Sequence, residues 1–193
     1  MGMKRIVLLT GLLFLFNEVI KAQSTPASQI AEVAVPPSAN DIMEGAFKKA
    51  SIENKNVFVI FHASWCGWCH TMDKSMNDAT CKKFFDDNFV ICHLVVDESK
   101  EKKDLENPGA AEMKIKYNGD GQGIPFWLLF DKDGNLLSDS KMRQPGDGPE
   151  KGDNAGCPAT EKEVAFFLDV LKKTSSLNKD QLEIIRTVFR KND

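Results

Sequence analysis

The spacing of hydrophobic and polar positions changes period several times along the chain, and each change predicts an element. After Asn40 or Asp41, either of which can cap a helix, Ile42, Met43, Ala46, Phe47 and Ala50 recur at helical spacing up to about Asn54. Val57 to Phe61 then runs without a polar residue, the pattern of a strand covered on both faces. Trp65 to Met76 reads as a helix, Phe89 to Val96 as a second buried strand and Ala110 to Tyr117 as a helix. Phe126 to Phe130 and Leu136 to Ser140 are predicted as third and fourth strands. Between them Asp131-Lys132-Asp133-Gly134-Asn135 is turn chemistry with a glycine available for positive φ, so the two form a hairpin. Glu161 to Lys173 and Lys179 to Arg190 close the chain as helices, with Phe166, Phe167, Val170 and Leu171 as a core-facing stripe.

A strand, a helix and a second strand imply a right-handed parallel crossover, and the hairpin adds antiparallel strands at one side. The expected class is therefore α/β, a mixed central sheet flanked by helices. Such a sheet ends its first central strand at a helix N-terminus, and Cys66 falls there.

The N-terminal region has a different pattern. Lys4 and Arg5 precede the apolar run Ile6 to Phe16, and Ala22 offers a small residue before Gln23, which is the layout of a secretory signal over residues 1–22. The run is shorter than the roughly 20 residues needed to span a bilayer. An uncleaved anchor is the competing reading. Residues 23–39, with Ser24, Thr25, Pro26, Ser28, Pro36 and Pro37, read as a flexible linker. Cleavage near Ala22 would leave an exported protein, periplasmic or secreted. With 193 residues one domain is expected, and a formal charge of −3 is no footprint for gripping a nucleic-acid backbone.

Export changes how the five cysteines are read, because outside a reducing compartment a thiol pair persists as a disulfide. Cys66 and Cys69, spaced three apart at a helix start, lie within reach of each other. Unpaired N–H groups and the positive end of the helix dipole stabilise a thiolate at Cys66, so its pKa is expected to fall below about 8.5. Cys66 is expected to be exposed and Cys69 shielded. An odd count leaves at least one further thiol; Cys92 reads as a small buried hydrophobe, Cys81 as part of a surface helix, and Cys157 as a solvent-accessible thiol in a Gly-rich loop.

With these residues in place the sequence resembles the exported thioredoxin-like thiol-disulfide oxidoreductases, including the periplasmic thioredoxin-like domains of membrane thiol reductases. The resemblance covers roughly Ile42 to Lys173. It rests on the apolar strand entering Trp65-Cys66-Gly67-Trp68-Cys69, the buried strand ending at Asp97, and Gly123-Ile124-Pro125 before Phe126. It implies a thioredoxin-like domain over 40–176, with a long loop insertion at 142–160 and a C-terminal helical extension at 177–193. It further implies Cys66 and Cys69 as the catalytic pair, and Pro125 as a cis proline beside them. Trp65, Gly67, Trp68, Ile124 and Pro125 would contact substrate, and Ile124 would pair its backbone with the substrate chain. No cofactor beyond the dithiol and no metal are expected. The expected partners are cysteine-containing proteins and a redox partner such as a membrane thiol reductase, and the lean is toward reduction.

Other readings of the motif stand beside this one. Cys66-Gly67-Trp68-Cys69-His70 also fits c-type haem attachment, a zinc site would join Cys66 and Cys69 to a pair drawn from Cys81, Cys92, His70 and His93, and the pair could be a structural staple. A non-enzymatic partner-binding protein on the same scaffold is the alternative of a different class. Two departures from the family matter, the long insertion at 142–160 and position 60. Many members carry a buried acid six residues before the first cysteine, where this chain has Ile60; if the strands align through Asp97, His93 falls beside it as a tuning group or a satisfied core residue. His70, in the first helical turn, is the other candidate for tuning the thiols.

Overall fold

The computed structural model describes residues 35–193, with Gly2 before them. The signal at 1–22 and most of the linker at 23–39 lie outside the described residues. Helix α1 spans Ala39–Glu53. Its cap is Ser38, not Asn40 or Asp41: the Ser38 hydroxyl accepts from Asp41 N, and Asp41 closes the box from the third position. Ala39 N donates to Pro108 O at 2.8 Å, a long-range bond that fixes the helix start.

Strands β1 (Asn56–His62), β2 (Phe89–Val95), β3 (Phe126–Phe130) and β4 (Leu136–Asp139) form one sheet in the order β2-β1-β3-β4. β1 and β2 are parallel with Ile60 opposite His93, while β1/β3 and β3/β4 are antiparallel. The hairpin turn is built as its residues dictate: Asp131 Oδ1 accepts from the N–H groups of Asp133 and Asn135, and Gly134 takes φ +88°. The fold is thioredoxin-like, a mixed four-stranded sheet flanked by helices.

The unbroken apolar runs follow from cover on both faces. Val57, Val59 and Phe61 join Phe126, Leu128 and Phe130 against α1 and helix α4 (Ala110–Lys116). Phe58, Ile60, Trp127 and Leu129 face helix α2 (Gly67–Met76), helix α3 (Lys82–Asn88), helix α5 (Glu161–Thr174) and helix α6 (Lys179–Phe189). α6 is packed into that second core through Ile185, Val188 and Phe189.

The stretch 142–160 is less open than its composition suggests. A short ribbon of β5 (Lys141–Met142) and β6 (Asp153–Asn154) forms within it, and Trp127 Nε1 donates to Gly156 O at 2.9 Å. Cys157 is consequently buried, contrary to its expected accessibility. Cys81 is also buried rather than on a surface helix; its thiol donates to Ser75 O, which turns the chain between α2 and α3 inward. Among the described residues no helix is long and apolar enough to cross a membrane.

Candidate active site

β1 delivers the chain to Ala63, and the turn that follows begins α2 with Cys66 as its N-cap. Cys66 N donates to Ala63 O at 3.1 Å and Cys66 O accepts from His70 N, the first bond of the helix. The cap role usually played by a hydroxyl or carboxylate oxygen is taken by sulfur: Cys66 Sγ accepts from Cys69 N at 3.1 Å. Cys66 and Cys69 form a disulfide with Cα atoms 5.3 Å apart. Its first sulfur thus lies where a backbone N–H and the helix dipole favour negative charge when the bond opens.

Both cysteines are covered, Cys66 at 2% exposure and Cys69 at 1%, which corrects the expectation of an exposed Cys66. Ala63 and Ile124 pack over the pair. The Ile124–Pro125 bond is cis, and Ile124 O lies 3.6 Å from Cys66 Sγ. That is a contact and not a hydrogen bond, because a disulfide sulfur carries no proton.

Two tryptophans rim the pair, Trp65 at 59% exposure and Trp68 at 53%. The Trp65 indole is held, donating Nε1–H to Asp97 O at 2.8 Å. The Asp97 carboxylate is in turn bound by the buried Lys114 at 2.8 Å. Buried Glu98 fastens the same turn from below, accepting from Ser64 N at 2.5 Å and Ser64 Oγ at 2.9 Å. Burial acts to raise its carboxyl pKa, but the Ser64 bonds and the Lys102 charge outweigh it and the net shift is downward. Gly67 faces open space, so packing does not demand its lack of a side chain.

His70 turns back on the loop, its Nε2 3.1 Å from Ser64 O. His93 pairs its Nε2 with Asp73 Oδ1 at 2.8 Å, and its ring meets that of His62 edge-on at 5.1 Å. Desolvation, followed by the neighbouring His93, holds the His62 pKa below its ordinary value. His62, Asp73 and Glu98 were not singled out from sequence. A signal for His62 existed, since the period of two places residues 60 and 62 on the same face of β1. Among the described residues no group of three His, Cys, Asp or Glu side chains is placed to hold a metal.

Three cysteines are free: Cys81, Cys92 and Cys157. Desolvation pushes their thiols up, Cys81 to about 11 and Cys92 and Cys157 each to about 12. At neutral pH they are thereby held as thiols, the less nucleophilic form.

Residues 39–132, which hold α1, the sheet through β3, the cysteine pair and the Ile124–Pro125 loop, match the family model described as thioredoxin-like. These residues are similar to the thioredoxin-like family. A mouse protein, spermatogenesis-associated protein 20, is 31% identical over 84 residues, which is 43% of this chain and 10% of that protein. The chain thus spans about a tenth of the length of that curated relative. Among solved structures, a disulphide isomerase from Xylella fastidiosa Temecula1 is similar at 22% identity over 61% of this chain and 80% of that one, with a TM-score of 0.43. The DsbH oxidoreductase is similar at 19% identity over 78% and 96%, with a TM-score of 0.42. A thioredoxin-like fold with a disulfide-forming Cys66–Cys69 pair at its helix N-terminus supports a thiol-disulfide oxidoreductase.

Proposed function

We propose that this protein is exported and reduces or exchanges disulfides in other envelope or secreted proteins through the Cys66–Cys69 dithiol. The observation that carries the reading is the disulfide at the N-cap of α2, with Cys69 N–H on Cys66 Sγ and Ile124 O 3.6 Å away on the other side. The N–H stabilises charge on one sulfur only, which makes Cys66 both the attacking thiolate and the better leaving group.

In the reducing direction, Cys66 thiolate attacks one sulfur of a substrate disulfide. The new S–S bond forms as the old one breaks, and the departing substrate thiolate takes a proton. Cys69, deprotonated, then attacks Cys66 Sγ and releases the second substrate thiolate. The substrate gains two electrons and two protons, and the pair becomes the disulfide. Covered sulfurs suit a protein partner that seats on the exposed Trp68 and the half-buried Ile124, and a second dithiol protein such as a membrane thiol reductase would return the pair to its reduced form.

The test is insulin reduction by dithiothreitol. Turnover should require Cys66, and Cys69→Ser should trap mixed disulfides that a reductant dissolves, while Cys66→Ser traps none. Equal trapping by both variants would mean that the nucleophile is misassigned. A scaffold that only binds partners would show no dependence on Cys66. A potential for the couple near about −270 mV supports a reductant and one near −120 mV an oxidant.

A further inference from the structure

The inserted segment 142–160 reaches into the active site through one side chain. Asn154, on β6, donates both hydrogens of its Nδ2 amide, to Gly123 O at 2.8 Å and to Pro125 O at 3.1 Å. Its Oδ1 accepts from Gly156 N at 3.0 Å, so the side chain is fully committed. The carbonyls on either side of Ile124 are thereby tied down. The N–H and C=O of Ile124 itself have no hydrogen-bond partner among the described residues, and its carbonyl stands beside Cys66 Sγ.

The segment that carries Asn154 is itself anchored. Ala155 N donates to Ser140 O at 2.7 Å, Gly156 O accepts from Trp127 Nε1, and Asn192 Nδ2 donates to Pro158 O at 3.3 Å. Together these elements wall a groove of about 560 Å³ between Trp68 and Ile124 on one side and Asn154, Cys157 and Asn192 on the other. An unpaired N–H and C=O on one residue, at the edge of a groove, is the arrangement that an extended chain satisfies by adding itself as a strand.

We propose that Asn154 is a positioning residue for substrate docking: it holds the loop so that Ile124 presents its main chain to an extended polypeptide segment lying in this groove. The inference rests on the oxidoreductase reading and on the substrate pairing at Ile124 that the family resemblance implies; what it adds is the part played by Asn154, which ties both carbonyls that flank Ile124. Asn154 touches neither the sulfurs nor the reacting bond.

The test compares two probes on the full chain. Asn154→Asp keeps an acceptor for Gly156 N but sets a carboxylate against two carbonyls, and Asn154→Ala removes all three bonds. For insulin, KM should rise about tenfold, the loss of one or two main-chain hydrogen bonds, with kcat little changed. Reduction of 5,5′-dithiobis(2-nitrobenzoate) and the potential of the pair should stay within twofold and unchanged, respectively. An unaltered KM for insulin, or equal losses with both probes, overturns the proposal.

A second measurement leaves Asn154 in place and so does not depend on the variants folding. Cys69→Ser protein is joined to a cysteine peptide by displacing nitrobenzoate from the activated peptide. Amide exchange at Ile124 should slow in that mixed disulfide, and unchanged exchange overturns the proposal. Failure of the underlying reading looks different: wild-type insulin reduction would then be independent of Cys66.

Discussion

Phe189→Ala tests whether the C-terminal helix α6 is part of the core that supports the site. Phe189 is fully buried, its ring 5.0 Å from that of Phe167 and 6.3 Å from that of Phe85. It lies in the same cluster as Met72 and Met76, on the buried face of the helix that carries the dithiol. Emptying such a site costs about 3–5 kcal/mol, of which the two aromatic contacts are roughly 1–3. Phe189 is the last residue of α6, and this helix end can settle partly into the gap, which favours the lower end, about 3 kcal/mol. Ile184 on the same helix is 38% exposed, and its replacement by alanine should cost under about 1 kcal/mol. Urea unfolding of both variants at neutral pH, with the disulfide intact, reads the difference. A loss below about 1 kcal/mol for Phe189→Ala at unchanged slope would show that α6 is not cooperative with the core, and equal losses in the two variants would refute the packing argument.

The free thiols give a chemical check. With pKa values of about 11 for Cys81 and about 12 for Cys92 and Cys157, roughly one thiol in a thousand or fewer is ionised at pH 8. Native oxidised protein should take up no iodoacetamide in an hour and unfolded protein three equivalents; rapid labelling of Cys157 would show that 155–160 opens. The acid side of the stability profile should carry His62. Desolvation, and then His93, depress its folded pKa below the ordinary 6.5, so the unfolded chain takes its proton first and stability is lost as pH falls from about 6.5 through the folded value. The thermal midpoint of the wild type should therefore drop more steeply below about pH 6.5 than that of His62→Gln, and parallel curves would refute the assignment.

What the sequence made legible was whatever is recorded locally. The runs Val57–Phe61 and Phe126–Phe130 announced doubly covered strands, the Asp131–Asn135 turn announced a hairpin, and the cysteine spacing at a strand-to-helix junction announced the site. Where the reading of the first helix cap and of Cys157 failed, the deciding contact is distant in sequence. Ser38, Asn40 and Asp41 are all capping residues, and the choice among them is fixed by Pro108, which takes the amide of Ala39. Cys157 lies among glycines, aspartates and prolines that suggest an open loop; the bonds from Trp127 and Asn154 that close it down span 29 residues or more. No periodicity or composition records a bond of that kind.

Ile60 shows how the two kinds of information combine. The parallel register sets His93 beside it, as alignment through Asp97 suggested, and Trp127 lies opposite on the other neighbour strand. Ile60 is 1% exposed among Phe58, Met72 and Trp127, so a hydrocarbon fills the enclosed place where the family resemblance led us to look for a carboxylate. The ionisable groups near the pair are displaced to the edge of the sheet. Asp73 is one turn beyond Cys69 on the same flank of α2, and it holds His93, whose ring meets His62. This dyad is half-exposed where a carboxylate at position 60 would be enclosed, so water reaches it and any charge it carries is screened. A buried acid acts on a thiol through a low dielectric, whereas these groups stand at a wet margin, and their influence on Cys69 is correspondingly the weaker of the two.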